Sequence, residues 1–308
     1  MKKRHLTTLI ALGAAASLAL AGCSNGNGDT PAPDSTGGDN GAAQASGTIT
    51  MGFLPAWTDG LSTAYLLKDQ LGKLGYDVEM EEVVDAGPLY VALSLGDVDM
   101  YPSAWSEVTH AQYMDEVGDD VEDLGSYYDG AALTIAVPTY MDDINSLEDL
   151  SANADLFGGQ IVGIEPGAGL TAATERMISE YELDNYSLLT SSTTGMLAEL
   201  DTAYAAEEPI VVTLWRPFWA YASWDMKDLE DPRGAMGETE SLHFLGKLGF
   251  AEEFPEAADY ICKIQLDDAQ YGALESLVTS DEFDGDPEGA VQQWLGEFGD
   301  QIDWLITE

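Results

Sequence analysis

From Thr48 onward, short apolar runs alternate with stretches of helical period, and this alternation constrains the fold more than any other feature. "TITMGFL" (48–54) reads as a strand, Leu61 to Leu74 as a helix and "YDVEMEEV" (76–83) as a strand. "GPLYVALSLGDVDMYPSAW" (87–105) gives a short helix, a glycine break and a strand, and "ALTIAVP" (132–138) a strand ended by proline. A second set follows, with a strand in "GQIVGIEP" (159–166), helices over Thr171–Tyr181 and Met196–Ala206, and a strand in "PIVVTLW" (209–215). Beyond about residue 226 the pattern reads as mostly helical. Alternation of this kind predicts an α/β fold of mainly parallel sheets flanked by helices, and two sets predict two lobes.

The N-terminus reads as an export signal. Lys2, Lys3 and Arg4 precede an apolar stretch, Leu6 to Leu20, too short for an ordinary membrane span. Leu20-Ala21-Gly22-Cys23 resembles the bacterial lipobox, in which the cysteine is lipidated and becomes the new N-terminus; an ordinary signal cleavage site is the other reading. On the lipobox reading, 1–22 is a signal peptide and Cys23 carries the acyl chains that hold the protein to the outer face of the bacterial cell membrane. Residues 23–47 lack any large apolar side chain and form a disordered tether. Cys262 then has no partner for an intramolecular disulfide and is expected to be a small buried hydrophobe.

Charge narrows the partners. Fifty-six acidic residues face 11 basic ones, a formal net charge of −45. Such a surface repels phosphates, so nucleic acid is not an expected partner. It suits solvation in a salty medium, with a specific cation-binding role as the alternative. Signatures of chemistry are missing: the sequence contains no G-x-S-x-G, H-E-x-x-H or P-loop, and no G-x-G-x-x-G opening a helix. His110 and His243 have no cysteine at zinc spacing, and the acidic run "DEFDGDPEG" (281–289) lacks the EF-hand register. No metal, cofactor or catalytic residue is therefore expected.

Binding is better supported. Trp57, Trp105 and Trp215 each follow an expected strand, where ligands of open α/β sheets collect. Each alone also suits core packing. Together, indole faces without convergent hydrogen-bonding groups favour a cation that cannot donate hydrogen bonds, such as a quaternary ammonium, at about 0.5–2 kcal/mol per face. "EPGAGLTAATE" reads as a glycine-rich turn into a helix beginning near Leu170, whose unsatisfied N–H groups can hold an anion; many such turns hold nothing. A cation cage and an anion site together describe a zwitterion.

The segments "AWTDG", "DAGPLYVALSLGDVD", "SAWSEVTH", "VPTYMDDINSLEDL", "IVGIEPGAG" and "EEPIVVTLWRPFW" resemble the substrate-binding proteins of ABC importers for glycine betaine and related compatible solutes. The resemblance implies a two-lobed periplasmic-binding-protein-like clamp, with lobe one formed by 48–138 and 227–308 and lobe two by 139–226. It implies that Trp57, Trp105 and Trp215 box a trimethylammonium group. His110, together with the backbone N–H groups of Gly169 and Leu170, would bind the ligand's carboxylate. Trp57, Trp105 and His110 fall in lobe one and the other three in lobe two, so the ligand would favour closure. The implied partners are a membrane permease and its ATPase.

The chain departs from its relatives at Leu214 and Arg216, which would narrow the pocket or add positive charge; Arg216 also suits a structural ion pair. Val108 replaces a common asparagine and removes one potential polar contact. Trp219 and Trp224 are expected to pack within lobe two. The alternatives are a binding protein for choline, carnitine or dimethylsulfoniopropionate, and a secreted enzyme or adhesin on the same fold.

Overall fold

The computed structural model describes residues 47–306. The expected signal, Cys23 and all but the last residue of the 23–47 tether lie outside the described residues. In chain order the elements are β1 (Thr48–Phe53), α1 (Thr58–Leu74), β2 (Asp77–Glu82), α2 (Ala86–Leu95), β3 (Met100–Ala104), α3 (Ala111–Val117), β4 (Val121–Pro138), α4 (Leu147–Leu150), β5 (Gln160–Val162) and α5 (Gly169–Glu180). They continue with β6 (Ser187–Leu189), α6 (Thr193–Ala205), β7 (Val212–Arg216), α7 (Ala220–Ser223), β8 (Met226–Asp228), β9 (Glu240–Lys247), α8 (Phe250–Glu253), α9 (Pro255–Ile261), α10 (Asp268–Val278) and α11 (Pro287–Phe298).

The strands order as β2-β1-β3-β9-β4-β7-β5-β6, with β8 added on β4. In the first half β1 runs parallel to β2 and β3, and β9 joins them antiparallel. In the second half β5 runs parallel to β6 and β7, while β4 pairs antiparallel with β7 and β8. The 18-residue β4 serves both halves: Val121 to Ala131 pair with β9, and Ala132 to Ala136 with β7. The expected lobe boundary at 138/139 falls at the end of β4 and that at 226/227 within β8, whereas the pairing of β4 passes from β9 to β7 between Ala131 and Ala132.

Two features differ from the sequence reading. The strand expected over 132–138 begins earlier, at Val121; the acidic residues and glycines of "VEDLGSYYDGA", left unassigned by the sequence, are absorbed as repeated register shifts against β9. β9 itself lies in the stretch read as mostly helical, although "ESLHFLGK" buries alternate residues from Glu240 to Phe244, as a strand should, before a run buried on both faces. Cys262 is a correction: it is exposed, not buried, because it follows the last residue of α9 and Ile261 takes the inward position.

Local chemistry explains the edges of the elements that carry the site. Gly75 ends α1 at φ 110, where its N–H reaches the carbonyls of Leu71 and Gly72. Gly52 on β1 lets α2 approach closely, since a Cβ there would lie 2.5 Å from Leu89. The first turn of α1 carries Asp59, buried and oriented at a helix N-terminus that favours negative charge.

Behind α1 a second carboxylate is buried. Glu275 on α10 accepts from Thr58 Oγ1 at 2.5 Å. Burial, with a smaller contribution from the charge of Asp59, pushes its carboxyl up to about 8, against the pull of the Thr58 hydrogen bond. The folded chain therefore holds a proton that the unfolded chain releases near the ordinary glutamate value of 4.5. Between those limits stability falls as pH rises. The melting temperature is expected to drop between about pH 5 and pH 8, and the drop should shrink in Glu275→Gln; equal drops in thermal melts would contradict this.

Candidate ligand-binding site

One cavity is lined by Trp57, Trp105, Trp215, His110, Gly169 and Leu170, so the structure brings together all six residues expected to bind ligand. Trp57 stands just before α1, beyond the carboxyl end of β1, and Trp105 directly follows β3. Trp215 lies within β7, opposite Leu133 of β4, so the third indole comes from the second half of the sheet.

Two of the three indoles are held by their edges. Trp57 Nε1 donates to Glu165 Oε2 at 3.2 Å, and Trp105 Nε1 to Asp59 Oδ2 at 3.1 Å. Trp57 lies nearly parallel to the His110 ring, with centroids 5.9 Å apart. Trp215 stacks on Phe218 at 3.8 Å; its buried Nε1 has no partner among the described residues. All three side chains are buried. With the N–H edges of Trp57 and Trp105 directed into protein, what these two present to the cavity is largely π surface, the arrangement a soft cation requires.

His110 caps α3 and is 1% exposed. Burial pushes its imidazole down to about 3, so the ring is neutral. The Tyr90 hydroxyl lies 3.1 Å from Nδ1, and burial raises its own pKa well above the ordinary value, so it stays protonated. We assign Tyr90 as donor to Nδ1, which leaves the one ring proton on Nε2. Nε2 has no other partner among the described residues, so a neutral N–H is available to an acceptor in the cavity.

The anion side is the first turn of α5. Gly169 opens that helix, and the N–H groups of Gly169 and Leu170 have no backbone acceptor among the described residues, whereas Thr171 N already bonds Ala168 O at 3.0 Å. Glycine is required at 169, since a Cβ there would come within 2.2 Å of the Thr109 carbonyl.

Asp59, Thr109, Leu133, Ile164 and Ala168 complete the lining and were not picked out from sequence. Asp59 sits two residues after Trp57, and that spacing in a first helical turn is the signal that could have found it. Its carboxyl is raised by burial, partly offset by hydrogen bonds from Ser103 and Trp105. Thr109 adjoins His110, but Leu133 and Ile164 line the cavity through strand pairing that no local pattern reveals.

The departures at Leu214 and Arg216 do not reach the cavity. Side chains alternate along β7, so Trp215 faces the cavity and its two neighbours face away. Leu214 is buried elsewhere, and Arg216 pairs with Asp228 at 2.6 Å and lies 3.6 Å from the centre of the Tyr221 ring. Trp219 packs between Phe218 and Trp224, away from the cavity. His243 bonds Asp123 at 3.0 Å and Glu107 at 3.1 Å. No group of three or more metal-ligating side chains occurs among the described residues, and no helix there is long and apolar enough to cross a membrane.

An indole-lined cavity between two halves of a sheet, with a helix N-terminus on one side, defines a two-lobed solute-binding clamp. The chain belongs to the OpuAC family, described as the substrate binding domain of ABC-type glycine betaine transport systems, which matches residues 47–297. It is 36% identical over 147 residues to the glycine betaine/carnitine transport binding protein GbuC of Listeria monocytogenes, a match covering 46% of this chain and 47% of the relative. The chain thus spans about half the length of that curated relative. The crystal structure of the glycine betaine/L-proline-binding protein ProX from Borrelia burgdorferi superposes with a TM-score of 0.77 at 28% identity, covering 85% of this chain and 97% of the other. Lactococcal OpuAC, closed around glycine betaine, superposes with a TM-score of 0.76 at 30% identity, covering 84% and 99%.

The protonation scheme is testable without ligand. In nitrogen-resolved NMR, His110 should remain a neutral Nε2–H ring down to about pH 5. His243 should titrate above the ordinary 6.5, because its bonds to Asp123 and Glu107 outweigh the opposing effect of burial. A His110 midpoint near 6.5 would contradict the burial argument.

Proposed function

We propose that this protein captures glycine betaine, or a closely related quaternary ammonium zwitterion, and delivers it to the permease of an ABC importer. The observation that carries this reading is the single cavity in which Trp57, Trp105 and Trp215 meet His110 and the first turn of α5. The trimethylammonium group sits among the indoles, where its diffuse charge meets π surface and its methyls shed water cheaply. The buried Asp59 adds negative potential on the cage side. The carboxylate takes hydrogen bonds from Gly169 N, Leu170 N and His110 Nε2. Those are neutral donors at a helix end, so no lysine or arginine is needed in the site.

Lobe one, 48–138 with 227–308, supplies Trp57, Trp105 and His110, and lobe two, 139–226, supplies Trp215 and the nest. The ligand therefore bonds both lobes only when they are closed, and closure follows from that difference in contact. The protein works by binding and release rather than as an enzyme. Cys23 carries a lipid that holds it outside the cell membrane, with the 23–47 tether giving it reach to the permease.

Calorimetry tests the reading. Glycine betaine should bind the wild type with an affinity that changes little between low and high NaCl, because the cage is dry. Trp105→Ala should lose at least about 1–2 kcal/mol, roughly a tenfold rise in Kd. Unchanged binding in that variant, or steep weakening by salt, would count against the cage. His110→Ala should weaken glycine betaine while leaving choline, which has no carboxylate, nearly untouched. Equal losses for both ligands would remove His110 from the anion site.

A further inference from the structure

The loop 165–169 is gripped from the first half of the sheet, in part by Tyr113, which does not line the cavity. Tyr113, on α3, donates from its hydroxyl to Gly167 O at 2.6 Å. Its ring is stacked on Tyr90, with centroids 5.1 Å apart, and Tyr90 in turn bonds His110. Glu165 accepts Trp57 Nε1 at 3.2 Å with the same oxygen that takes Thr193 Oγ1 at 2.9 Å, while its other oxygen takes Thr193 N at 2.8 Å. One carboxylate thus ties an indole of the first half to the start of α6 in the second. At the two glycines the halves touch directly. A Cβ on Gly167 would lie 2.1 Å from Asp85 Oδ1, and one on Gly169 would lie 2.2 Å from Thr109 O.

We propose that Tyr113 and Glu165 are positioning residues that clasp this loop to the first lobe. The closed cleft is then partly stabilised by protein contacts alone, and the Gly169 and Leu170 N–H groups are already in register when an acidic tail arrives. The Tyr113 hydroxyl suits the task, since burial and the nearby charge of Asp85 raise its pKa and keep it a donor. Because a ligand adds to a closure already biased in its favour, loss of the clasp lowers affinity for every ligand the cleft accepts. That consequence for affinity rests on the function proposed above; the clasp itself does not.

The test is a ligand-free one. Dyes on the exposed Cys262 and on Asp201→Cys, with Cys23→Ser to prevent a third label, report the distance between lobes in the full chain by single-molecule energy transfer. Tyr113→Phe should lower the closed-to-open ratio roughly fivefold, the equivalent of one net hydrogen bond. Gly167→Ala, which blocks the same approach without altering the tyrosine, should open the cleft as well. The Kd for glycine betaine should rise by a similar factor in each. An unchanged closed-to-open ratio in either variant overturns the clasp, whatever the chain binds. A ratio that falls in a chain binding no betaine supports the clasp and removes the ligand reading.

Discussion

The site depends on where the indole N–H groups point. A tryptophan presents a hydrogen-bond donor at its edge and negative potential on its faces. Trp57 and Trp105 surrender their edges to Glu165 and Asp59, so their faces are left to line the cavity. The two anchors are not equivalent. Asp59 belongs to the same half as Trp105 and fixes it within one lobe, whereas Glu165 reaches Trp57 from the other half of the sheet. Part of the cage is therefore completed only when the halves meet.

The fold makes such a meeting possible through β4. A single strand pairs with β9 at one end and with β7 at the other, so the two halves share a continuous element beneath the cavity. Leu133, on the part of β4 that pairs with β7, is the register partner of Trp215 and lines the cavity beside it. The buried chain of Asp59, Ser103, Tyr127 and Tyr271 stiffens the first half behind the cage, with Ser103 Oγ 2.6 Å from Asp59 and 2.8 Å from the Tyr127 hydroxyl. Rigid walls on one side and a shared strand below suit a device that recognises by enclosure.

Much of this was legible in the sequence because the chemistry sits at strand ends and helix starts, positions that local patterns mark. Trp57, Trp105 and the turn before α5 follow apolar runs directly, and Gly169 stands where a helix must begin. What was not legible depends on pairing between distant segments. The acidic, glycine-containing start of β4 carries no strand pattern of its own and is paired only because β9 lies beside it, and Leu133 and Ile164 reach the cavity only through sheet register. The buried carboxylates Asp59, Glu240 and Glu275 were hidden by composition: among so many surface carboxylates, nothing in the sequence marks the three that lie inside. Of the departures beside Trp215, Leu214 is turned away from the cavity by alternation along β7, and Arg216 takes the structural ion pair that was its other reading, with Asp228.

The central claim is that the cavity holds a positive charge against π surface and not merely a ball of methyl groups. Titration with tert-butylacetate, in which carbon replaces the quaternary nitrogen of glycine betaine while shape and carboxylate are kept, isolates that charge. The account predicts that this isostere binds at least about tenfold more weakly than glycine betaine. Equal affinity for the two would mean that the indoles act only as an apolar wall, and the cation cage would have to be abandoned.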